Sequence, residues 1–389
     1  MSLAMTQAAA AMAPLMTFLN ESSYAKARRT SGILDFTFGN PQEMPLTGLV
    51  DALQRWAVPE NPQWFAYKQS EPKAQETIAA SLRSWRGLPF EPEDVVMTSG
   101  AFGAIAVILR ALLDQGDEVI VNLPPWFVYE AMIHSTGARP VTVPVRAEDF
   151  DLDLVAIEAA ITPATRLIIV NTPHNPTGKI YPAETLERLA RLLTDASARH
   201  GRTIYLLSDE PYSRLVFEGH DFVSPLAFYP ESLMAYSYGK VLLAPGQRVG
   251  YLAFAPGISE RTHLRDAVTM AQLTCGWAYP NALLQHAIGD LERLSLDLAA
   301  LQAKRDLMVE ALRRHGYRVH RPEATFYLLP RSPIPDDLAF TERLAEGGVY
   351  VMPGTVCGAP GYFRICLTAS LDMLQRSLPA FQAAIEQQR

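Results

Sequence analysis

Between residues 94 and 254, short apolar runs that are often rich in β-branched residues alternate with longer stretches of helical periodicity. Continuous apolar runs of this length are typical of strands that are buried on both faces of a sheet. The runs are 94–98, 118–121, 140–143, 166–170, 204–208, 233–237 and 249–254, and the helical stretches include 102–113, 126–136 and 183–199. This alternation predicts an α/β fold whose large domain has a mostly parallel seven-stranded sheet flanked by helices.

After residue 258 the pattern changes. Apolar residues three and four positions apart over residues 258–316 predict a helical region, including a long helix that joins two parts of the chain. Short strand candidates follow at 318–320, 326–329, 349–351 and 362–367, and a closing helix at 371–387. This last part is predicted to be a smaller α+β domain.

The length of 389 residues is that of roughly two domains. We predict a large domain at 45–285 and a small domain formed by 31–44 together with 286–389. Residues 1–30, which begin with an Ala- and Met-rich stretch, are predicted to form an N-terminal arm that is partly mobile.

Charge and cysteine content exclude several classes of function. The net charge of −7 argues against nucleic acid or an anionic membrane as a partner. Three cysteines without a CxxC motif argue against a disulfide scaffold and a zinc ribbon, and we expect no metal site. No apolar run reaches the roughly 18 residues of a membrane span, and no basic region precedes the apolar start, so we expect a cytoplasmic protein.

Lys240 is the first candidate for chemistry. It follows the strand candidate 233–237, in a stretch that carries no charge after Glu231. An isolated lysine is usually a solvated surface residue. At the end of a buried strand, however, loss of solvation can lower the pKa of the amine, which could then attack an aldehyde as the free base. The residue alone leaves both interpretations open.

Several groups could bind anions. The turn 98–104 leads from a strand into a helix through small residues, so its N–H groups could face a phosphate. Arg248 is predicted to be a buried cation that could bind a phosphate through two hydrogen bonds, and Ser237 could add a hydroxyl. Arg364, inside an apolar strand candidate, suggests a carboxylate partner. Structural salt bridges for the arginines and a simple strand end for Ser237 are the competing interpretations.

Other polar and aromatic residues follow predicted strands. Asp209 stands at the end of an apolar strand, where ligand sites gather in open α/β sheets. It could pair with a protonated pyridine nitrogen, cap a helix, or form a salt bridge in the core. Tyr212 could donate to a phenolate oxygen or be a half-buried aromatic. Asn175 begins an Asn-Pro-Thr-Gly sequence that could be only a turn, and Trp126 could stack on a flat ring or fill the core.

In their order along the chain, these motifs resemble those of the fold-type I enzymes that depend on pyridoxal phosphate (PLP), in the class I/II aminotransferase family. The resemblance covers about residues 31–389. The ordered set is Asn-Pro-Thr-Gly at 175–178, Asp-x-x-Tyr at 209–212, Ser-x-x-Lys at 237–240, Arg-x-Gly-Tyr at 248–251 and the late Arg364. Each motif is weak alone, but the ordered combination is specific.

The resemblance implies that the large domain binds PLP. Lys240 would hold the cofactor as a Schiff base and later move a proton between substrate and cofactor. Asp209 would pair with the N–H of the ring, Tyr212 and Asn175 would bind the ring oxygen, and Trp126 would stack on the ring. Lys240, Asp209 and Tyr212 are therefore the predicted catalytic residues.

The resemblance also implies sites for the cofactor phosphate and for the substrate carboxylate. Arg364 would bind the substrate carboxylate, with help from Asn175 and the backbone of Gly39. Tyr67 is similar to a family tyrosine that reaches the phosphate in the neighbouring subunit, so the site would be complete only in a homodimer. The remaining predicted phosphate ligands are the backbone amides of Ala101 and Phe102, the Ser237 hydroxyl and the Arg248 guanidinium.

The implied activity is transfer of an amino group between an α-amino acid and a 2-oxo acid by a ping-pong mechanism. Phe102 stands where some members that act on acidic substrates have a basic residue, which favours a neutral or aromatic amino acid. One alternative is a C–S β-lyase, or another lyase or decarboxylase, with the same fold and cofactor. Another is a non-catalytic PLP-binding regulator, but such proteins usually carry a DNA-binding domain, and the net charge argues against it.

Overall fold

The structure, a computed structural model, describes residues 2–386. Met1 of the predicted arm and residues 387–389, where the predicted closing helix ends, lie outside the described residues. The strands are β1 (Leu34–Asp35), β2 (Val95–Thr98), β3 (Glu118–Leu123), β4 (Arg139–Pro144), β5 (Thr165–Asn171), β6 (Tyr205–Asp209), β7 (Ser232–Ser237), β8 (Gly250–Phe254), β9 (Tyr327–Leu328), β10 (Val349–Tyr350), β11 (Met352–Pro353) and β12 (Phe363–Cys366).

The helices lie between these strands and around them. They are α1 (Leu3–Glu21), α2 (Ser23–Ala27), α3 (Thr47–Trp56), α4 (Pro72–Arg86), α5 (Gly100–Leu112), α6 (Tyr129–Ser135), α7 (Leu154–Ala160), α8 (Ala183–His200), α9 (Tyr238–Val241), α10 (Arg261–Thr274), α11 (Ala282–His286), α12 (Ile288–Leu291), α13 (Leu298–His315), α14 (Asp337–Glu346) and α15 (Leu371–Glu386). Short 3₁₀ turns occupy Pro92–Asp94, Pro225–Ala227 and Gly354–Cys357.

The predicted seven-stranded sheet is confirmed. Its strand order is β2-β8-β7-β6-β5-β3-β4, and β8 runs antiparallel to both of its neighbours while the other pairs are parallel. The seven apolar runs of the sequence correspond to these seven strands, because a strand covered by helices on both faces has no solvent-facing side that would need polar residues. The parallel arrangement brings the carboxyl ends of β3, β5, β6 and β7 to one edge.

Helices cover both faces of the sheet. Apolar side chains of α5 and α10, such as Ile108 and Val268, pack on one face. Leu189 and Leu193 of α8 pack on the opposite face. This two-sided core fixes the strands rigidly, so the residues at their carboxyl ends have a stable base.

The C-terminal part is built differently. Strands β11, β12 and β9 form an antiparallel sheet, and β1 pairs in parallel with β10. Helices α10 to α13 occupy the region predicted to be helical at 258–316, and α13 is a long helix of 18 residues, but the region is not one continuous helix. Residues 282–315 form three helices, because the chain leaves the helix after Leu291 and starts again where the side chain of Asp297 caps α13. The strand predicted at 318–320 is also absent, and within the described residues this segment is irregular.

The N-terminal segment forms helices α1 and α2. Leu15, Phe18 and Tyr24 are buried against Met352 and Val356. The predicted mobility of the arm and the predicted domain boundaries stay predictions. Across residues 2–386, no helix combines the length and the apolar character needed to cross a membrane.

Candidate active site

A cavity of about 290 Å³ opens at the carboxyl ends of the parallel strands. Ligands of open α/β sheets bind in this position, because loops diverge there and leave a crevice. Every site residue predicted from the sequence lines the cavity except Tyr67. The lining residues from that set are Gly39, Ala101, Phe102, Trp126, Asn175, Asp209, Tyr212, Ser237, Lys240, Arg248 and Arg364.

Lys240 lies in the short helix α9, directly after β7. Its Nζ is 5.7 Å from the ring centre of Tyr212 and 5.8 Å from that of Phe326. Burial is the main cause that lowers the pKa of its amine to about 8, with Arg364 and Arg248 acting in the same direction and Cys366 and Asp209 opposing. Within residues 2–386 no carboxylate forms a salt bridge with it. A considerable fraction of this amine is therefore neutral, and nucleophilic, near pH 8.

Asp209 is the last residue of β6 and is buried. Its Oδ2 accepts hydrogen bonds from Tyr129 Oη and from Asn171 Nδ2, the latter at 3.3 Å. Its Oδ1 is buried and has no hydrogen-bond partner among the described residues. Burial raises the pKa of this carboxyl to about 7, against the lowering effects of the Tyr129 hydrogen bond and of Lys240. A buried, unpartnered carboxylate oxygen in a cavity is suited to a cationic N–H donor.

One corner of the cavity combines three donors for an anion. Arg248 donates to the backbone oxygens of Pro245 at 2.7 Å and Ser99 at 3.2 Å, and no carboxylate in the described range pairs with it. A Cβ added at Gly100, whose φ is +79°, would lie 3.0 Å from a terminal nitrogen of Arg248 and 3.4 Å from Ser237 Oγ. The helix α5 starts at this point, so its first free N–H groups lie beside the guanidinium and the hydroxyl.

The exposure of Arg248 differs from the prediction. The sequence predicted a buried cation, whereas the side chain is exposed in the loop that follows α9. The neighbouring Gly246 and Gln247 are also exposed, but the guanidinium is partly covered, and this burial lowers the pKa of Arg248.

Arg364 lies on β12, lines the same cavity and is buried. Its guanidinium donates to Asn175 Oδ1 at 3.3 Å and to the backbone oxygen of Thr37 at 3.0 Å, and it lies 4.5 Å from the ring centre of Tyr327. Its Nε has no partner in the described part of the chain, and no Asp or Glu side chain there forms a salt bridge with it. The structural salt bridge considered from the sequence is thus not observed, and the charge remains available to an anion in the cavity.

Aromatic side chains form much of the wall. Tyr212 Oη lies 3.4 Å from Tyr327 Oη, and burial raises the pKa of Tyr212 well above its ordinary value. Trp126 contacts Phe102 edge to face at a ring-centre distance of 5.0 Å. Phe102 is itself 40% exposed. A flat ligand with a charged end would therefore meet apolar faces in the middle of the cavity and cations at its ends.

Tyr67 lies away from this cavity in the single chain. It is 88% exposed and packs on Tyr279 with the ring centres 4.9 Å apart. A tyrosine on an open surface cannot serve the site of its own chain from this position.

Sequence reasoning missed three residues of the site. Tyr129 and Asn171 hold Asp209, and Tyr327 lies beside Tyr212 and Arg364. Asn171 could have been found, because it ends β5 at the edge where the ligand site was expected. Tyr129 and Tyr327 gave no such signal, since each resembles an ordinary core aromatic in the sequence.

Comparisons with known proteins agree over most of the chain. The family profile described as aminotransferase class I and II matches residues 31–378. The chain is 34% identical over 386 residues to the aspartate/prephenate aminotransferase of Thermus thermophilus, which covers 95% of this chain and 96% of that protein. The structure of an amino transferase from Eubacterium rectale superposes with a TM-score of 0.90 at 29% identity, covering 96% of this chain and 95% of the other. Thermus thermophilus aspartate aminotransferase with maleate gives 0.80 at 29% identity, covering 97% and 96%.

Proposed function

Since this chain belongs to the class I and II aminotransferase family and transfers amino groups, we propose that it does so with PLP held in the cavity around Lys240. The proposal depends on one observation, that Lys240 and Asp209 line the same cavity and each has a group without a partner among the described residues. The Lys240 amine forms no salt bridge with a carboxylate in residues 2–386, and Oδ1 of Asp209 accepts no hydrogen bond there. An amine and a carboxylate fit the aldehyde and the ring N–H of PLP. When bound, PLP supplies an electron sink for the electron pair left after a proton is removed from the substrate Cα.

Lys240 and Asp209 have complementary tasks in this proposal. With a pKa of about 8, the Lys240 amine is partly neutral at physiological pH, so Nζ can hold the cofactor and later accept and return a proton. Asp209 must be ionised to hold a cationic N–H. Its pKa of about 7 is raised chiefly by burial, which disfavours the charged carboxylate. A cationic partner at Oδ1 would lower this pKa and so favour the ionised form.

The remaining cofactor-binding residues are proposed to hold and orient PLP. Ser237, Arg248 and the backbone N–H groups of Ala101 and Phe102 are proposed to bind the phosphate. Tyr212 and Asn175 are proposed to bind the ring oxygen, and Trp126 to stack on the ring.

Arg364, together with Asn175 and the Gly39 backbone, is proposed to bind the substrate carboxylate. Because amino acid and oxo acid would both need Arg364, one must leave before the other binds, and this predicts ping-pong kinetics.

The walls of the cavity support a neutral or aromatic amino acid as the donor. The cations that line it within the described residues are Lys240, Arg248 and Arg364, and each already has a proposed task. Phe38, Phe102 and Phe127 also line the cavity. The relative from Thermus thermophilus is named for aspartate and prephenate. Among the described residues that line the cavity, a second carboxylate would find no additional cation.

The homodimer and the cytoplasmic location also belong to this proposal. The exposed Tyr67 supports a site that a second subunit completes. The free cysteines Cys275, Cys357 and Cys366 are consistent with a reducing compartment, which cell fractionation would check.

The test is a panel of amino donors added to the PLP-loaded enzyme, followed by absorbance of the bound cofactor. Phenylalanine, tyrosine and leucine should bleach this absorbance at lower concentrations than aspartate. Only aspartate brings a side-chain carboxylate, which would be unpaired among apolar walls. A 2-oxo acid should restore the absorbance. Lys240→Ala should abolish turnover, and Lys26→Ala, a change of an exposed lysine on the arm, should leave it unchanged.

Two results would contradict the proposal. Transamination by Lys240→Ala at the normal rate would remove Lys240 from the mechanism. Release of pyruvate and ammonia from cystathionine without an oxo acid, at a rate above that of transamination, would favour the β-lyase instead. A preference for aspartate would overturn only the proposed donor class.

A further inference from the structure

A buried polar cluster surrounds Glu292. We call it the Glu292 cluster, and it consists of Ser81, Arg214, Tyr238 and Glu292. The carboxylate of Glu292 accepts hydrogen bonds from Ser81 Oγ at 2.7 Å, from Arg214 and from Tyr238 Oη. Arg214 also donates to the Glu292 backbone oxygen at 3.2 Å. The side chains of Arg214 and Glu292 are only 7% and 8% exposed.

Aromatic rings enclose the guanidinium of Arg214. It lies 4.2 Å from the ring centre of Trp85 and 5.3 Å from that of Tyr236. Burial by itself would lower the pKa of Arg214, but Tyr236 and Glu292 outweigh it and leave the pKa above its ordinary value. The pair of Arg214 and Glu292 is thus shielded from solvent.

Two members of the cluster adjoin the proposed catalytic residues in the chain. Tyr238 precedes Lys240 by two residues, and both belong to α9, which has only four residues. Arg214 follows Tyr212 by two residues in the turn after β6. A helix of one turn has little stability of its own, so its position depends on such contacts.

Stability alone does not account for an ion pair at this place. Burying two charges costs so much solvation that apolar residues of similar volume often stabilise a protein as well or better. What the charges add is a fixed geometry, because three hydrogen-bond donors converge on one carboxylate.

We infer that Glu292 is a positioning residue for Lys240 and Tyr212, acting through Tyr238 and Arg214. The inference rests on the proposed function, since it assumes that these two residues react with or contact the cofactor. Glu292 holds α9 and the turn after β6 at one distance from each other. The Lys240 amine and the Tyr212 ring, 5.7 Å from Nζ to ring centre, then keep a fixed relation to each other.

The test uses Tyr238→Phe, which removes one hydroxyl and keeps the ring, and Glu292→Gln, which keeps the shape and removes the charge. The matched control is Tyr229→Phe, because Tyr229 is also buried and donates to a backbone oxygen, that of Ile204 at 2.6 Å, away from the cavity. Each PLP-loaded variant is titrated with acid and base while the absorbance of the bound cofactor is recorded. Steady-state kinetics and the thermal unfolding midpoint are measured in parallel.

If Glu292 positions the reacting groups, these substitutions should change catalysis more than they change the thermal unfolding midpoint. Tyr238→Phe and Glu292→Gln should lower kcat by about tenfold or more with little change of KM, because small displacements of reacting groups are costly. They should also shift the spectroscopic titration midpoint by more than about 0.5 pH unit, a roughly threefold change in a proton-binding constant. Tyr229→Phe should lower the unfolding midpoint similarly and leave both other quantities unchanged.

If Tyr238→Phe lowers only the unfolding midpoint, as the control does, the cluster is structural and the inference is wrong. Should Glu292→Gln fail to fold, the result for Tyr238→Phe decides alone. Failure of the proposed function gives a different result, because the unmodified protein would then show neither cofactor absorbance nor transamination.

Discussion

Burial and hydrogen bonding shift the pKa of the Asp209 carboxyl in opposite directions. Burial raises its pKa to about 7, and the Tyr129 hydrogen bond counteracts only part of this effect. The folded protein without cofactor therefore binds the Asp209 proton more tightly than the unfolded chain, whose aspartates have a pKa of about 3.9. As pH rises from about 4 to 7, the unfolded state loses this proton first, so the folded state loses stability relative to it.

Asp209→Asn should remove this pH dependence. In protein without PLP, the unfolding midpoint of the variant relative to that of the unmodified protein should rise between pH 5 and pH 8, because the carboxylate of Asp209 ionises in this range and the variant lacks it. The same substitution should strongly lower transamination, since a neutral amide cannot hold a cationic N–H equally well.

Asp290→Asn is the matched control for this measurement. The Trp56 hydrogen bond, followed by Arg55, keeps the pKa of Asp290 below its ordinary value, so this group is already ionised in both states above pH 5. The difference between that variant and the unmodified protein should be flat over the same range. A flat difference for Asp209→Asn as well would contradict the assigned pKa.

At the scale of elements, the turn between β2 and α5 decides how closely an anion can approach. Gly100 has a φ of +79°, which residues with a Cβ rarely adopt, and the backbone passes directly beside Arg248 and Ser237. Small residues in the turn thus allow both the sharp change of direction and the close approach of the guanidinium. The pattern at 98–104 indicated the turn, but not which side chains would lie against it.

Gly100→Ala should weaken PLP binding. An added Cβ would lie 3.0 Å from Arg248, so the guanidinium must shift, and we expect the dissociation constant of PLP to rise by about tenfold or more, as for loss of one good charged hydrogen bond. Equilibrium dialysis or a fluorescence titration measures this constant.

Gly87→Ala controls for backbone strain. Gly87 ends α4 with a φ of +66° and has open space around its Cβ position. Both variants should lose about 1 kcal/mol of stability from the left-handed backbone, but Gly87→Ala should bind PLP normally. Equal weakening in both variants would show that strain, and not the contact with Arg248, is responsible.

At the scale of the whole molecule, several exposed apolar and aromatic residues of segments 65–67 and 270–279 do not line the cavity of their own chain. Tyr67 packs on Tyr279, and the other exposed members include Phe65, Met270 and Trp277. Exposed aromatic residues in such number are typical of protein interfaces. This supports the proposed homodimer in which Tyr67 of one subunit serves the site of the other.

Mixing two inactive variants tests this arrangement. In a heterodimer of Tyr67→Ala and Lys240→Ala chains, one site receives Tyr67 and Lys240 in their unmodified forms. Random exchange of subunits should then restore about a quarter of normal activity, because half of the dimers have one complete site of two. The measurement is transamination after subunit exchange in mild denaturant.

Mixing Lys240→Ala with Asp209→Asn is the control for subunit exchange. These residues line the same cavity of one chain, so each site of the heterodimer keeps a defect and activity should stay low. If the Tyr67→Ala mixture also stays inactive, or if Tyr67→Ala alone is fully active, Tyr67 does not complete the neighbouring site.

Local patterns predicted much of the molecule. The seven strands were predicted because burial on both faces leaves a continuous apolar run that is readable one strand at a time. The break near Leu291 was not predicted, since the apolar stripe continues through it and only the cap at Asp297 shows where the next helix starts. The residues Tyr129 and Tyr327 were missed for a related reason: their partners, Asp209 and Arg364, are distant in the sequence.

The sequence by itself determined the α/β fold class and, through the ordered motifs around Asn175, Asp209 and Lys240, the family. These features are local, so periodicity and spacing record them directly. Only the tertiary structure decided which oxygen of Asp209 is free, how exposed Arg248 is, and which carboxylate accepts the hydrogen bond of Tyr238. Solvation and hydrogen bonding of a side chain depend on atoms from distant segments, and packing brings those segments together only in the folded chain.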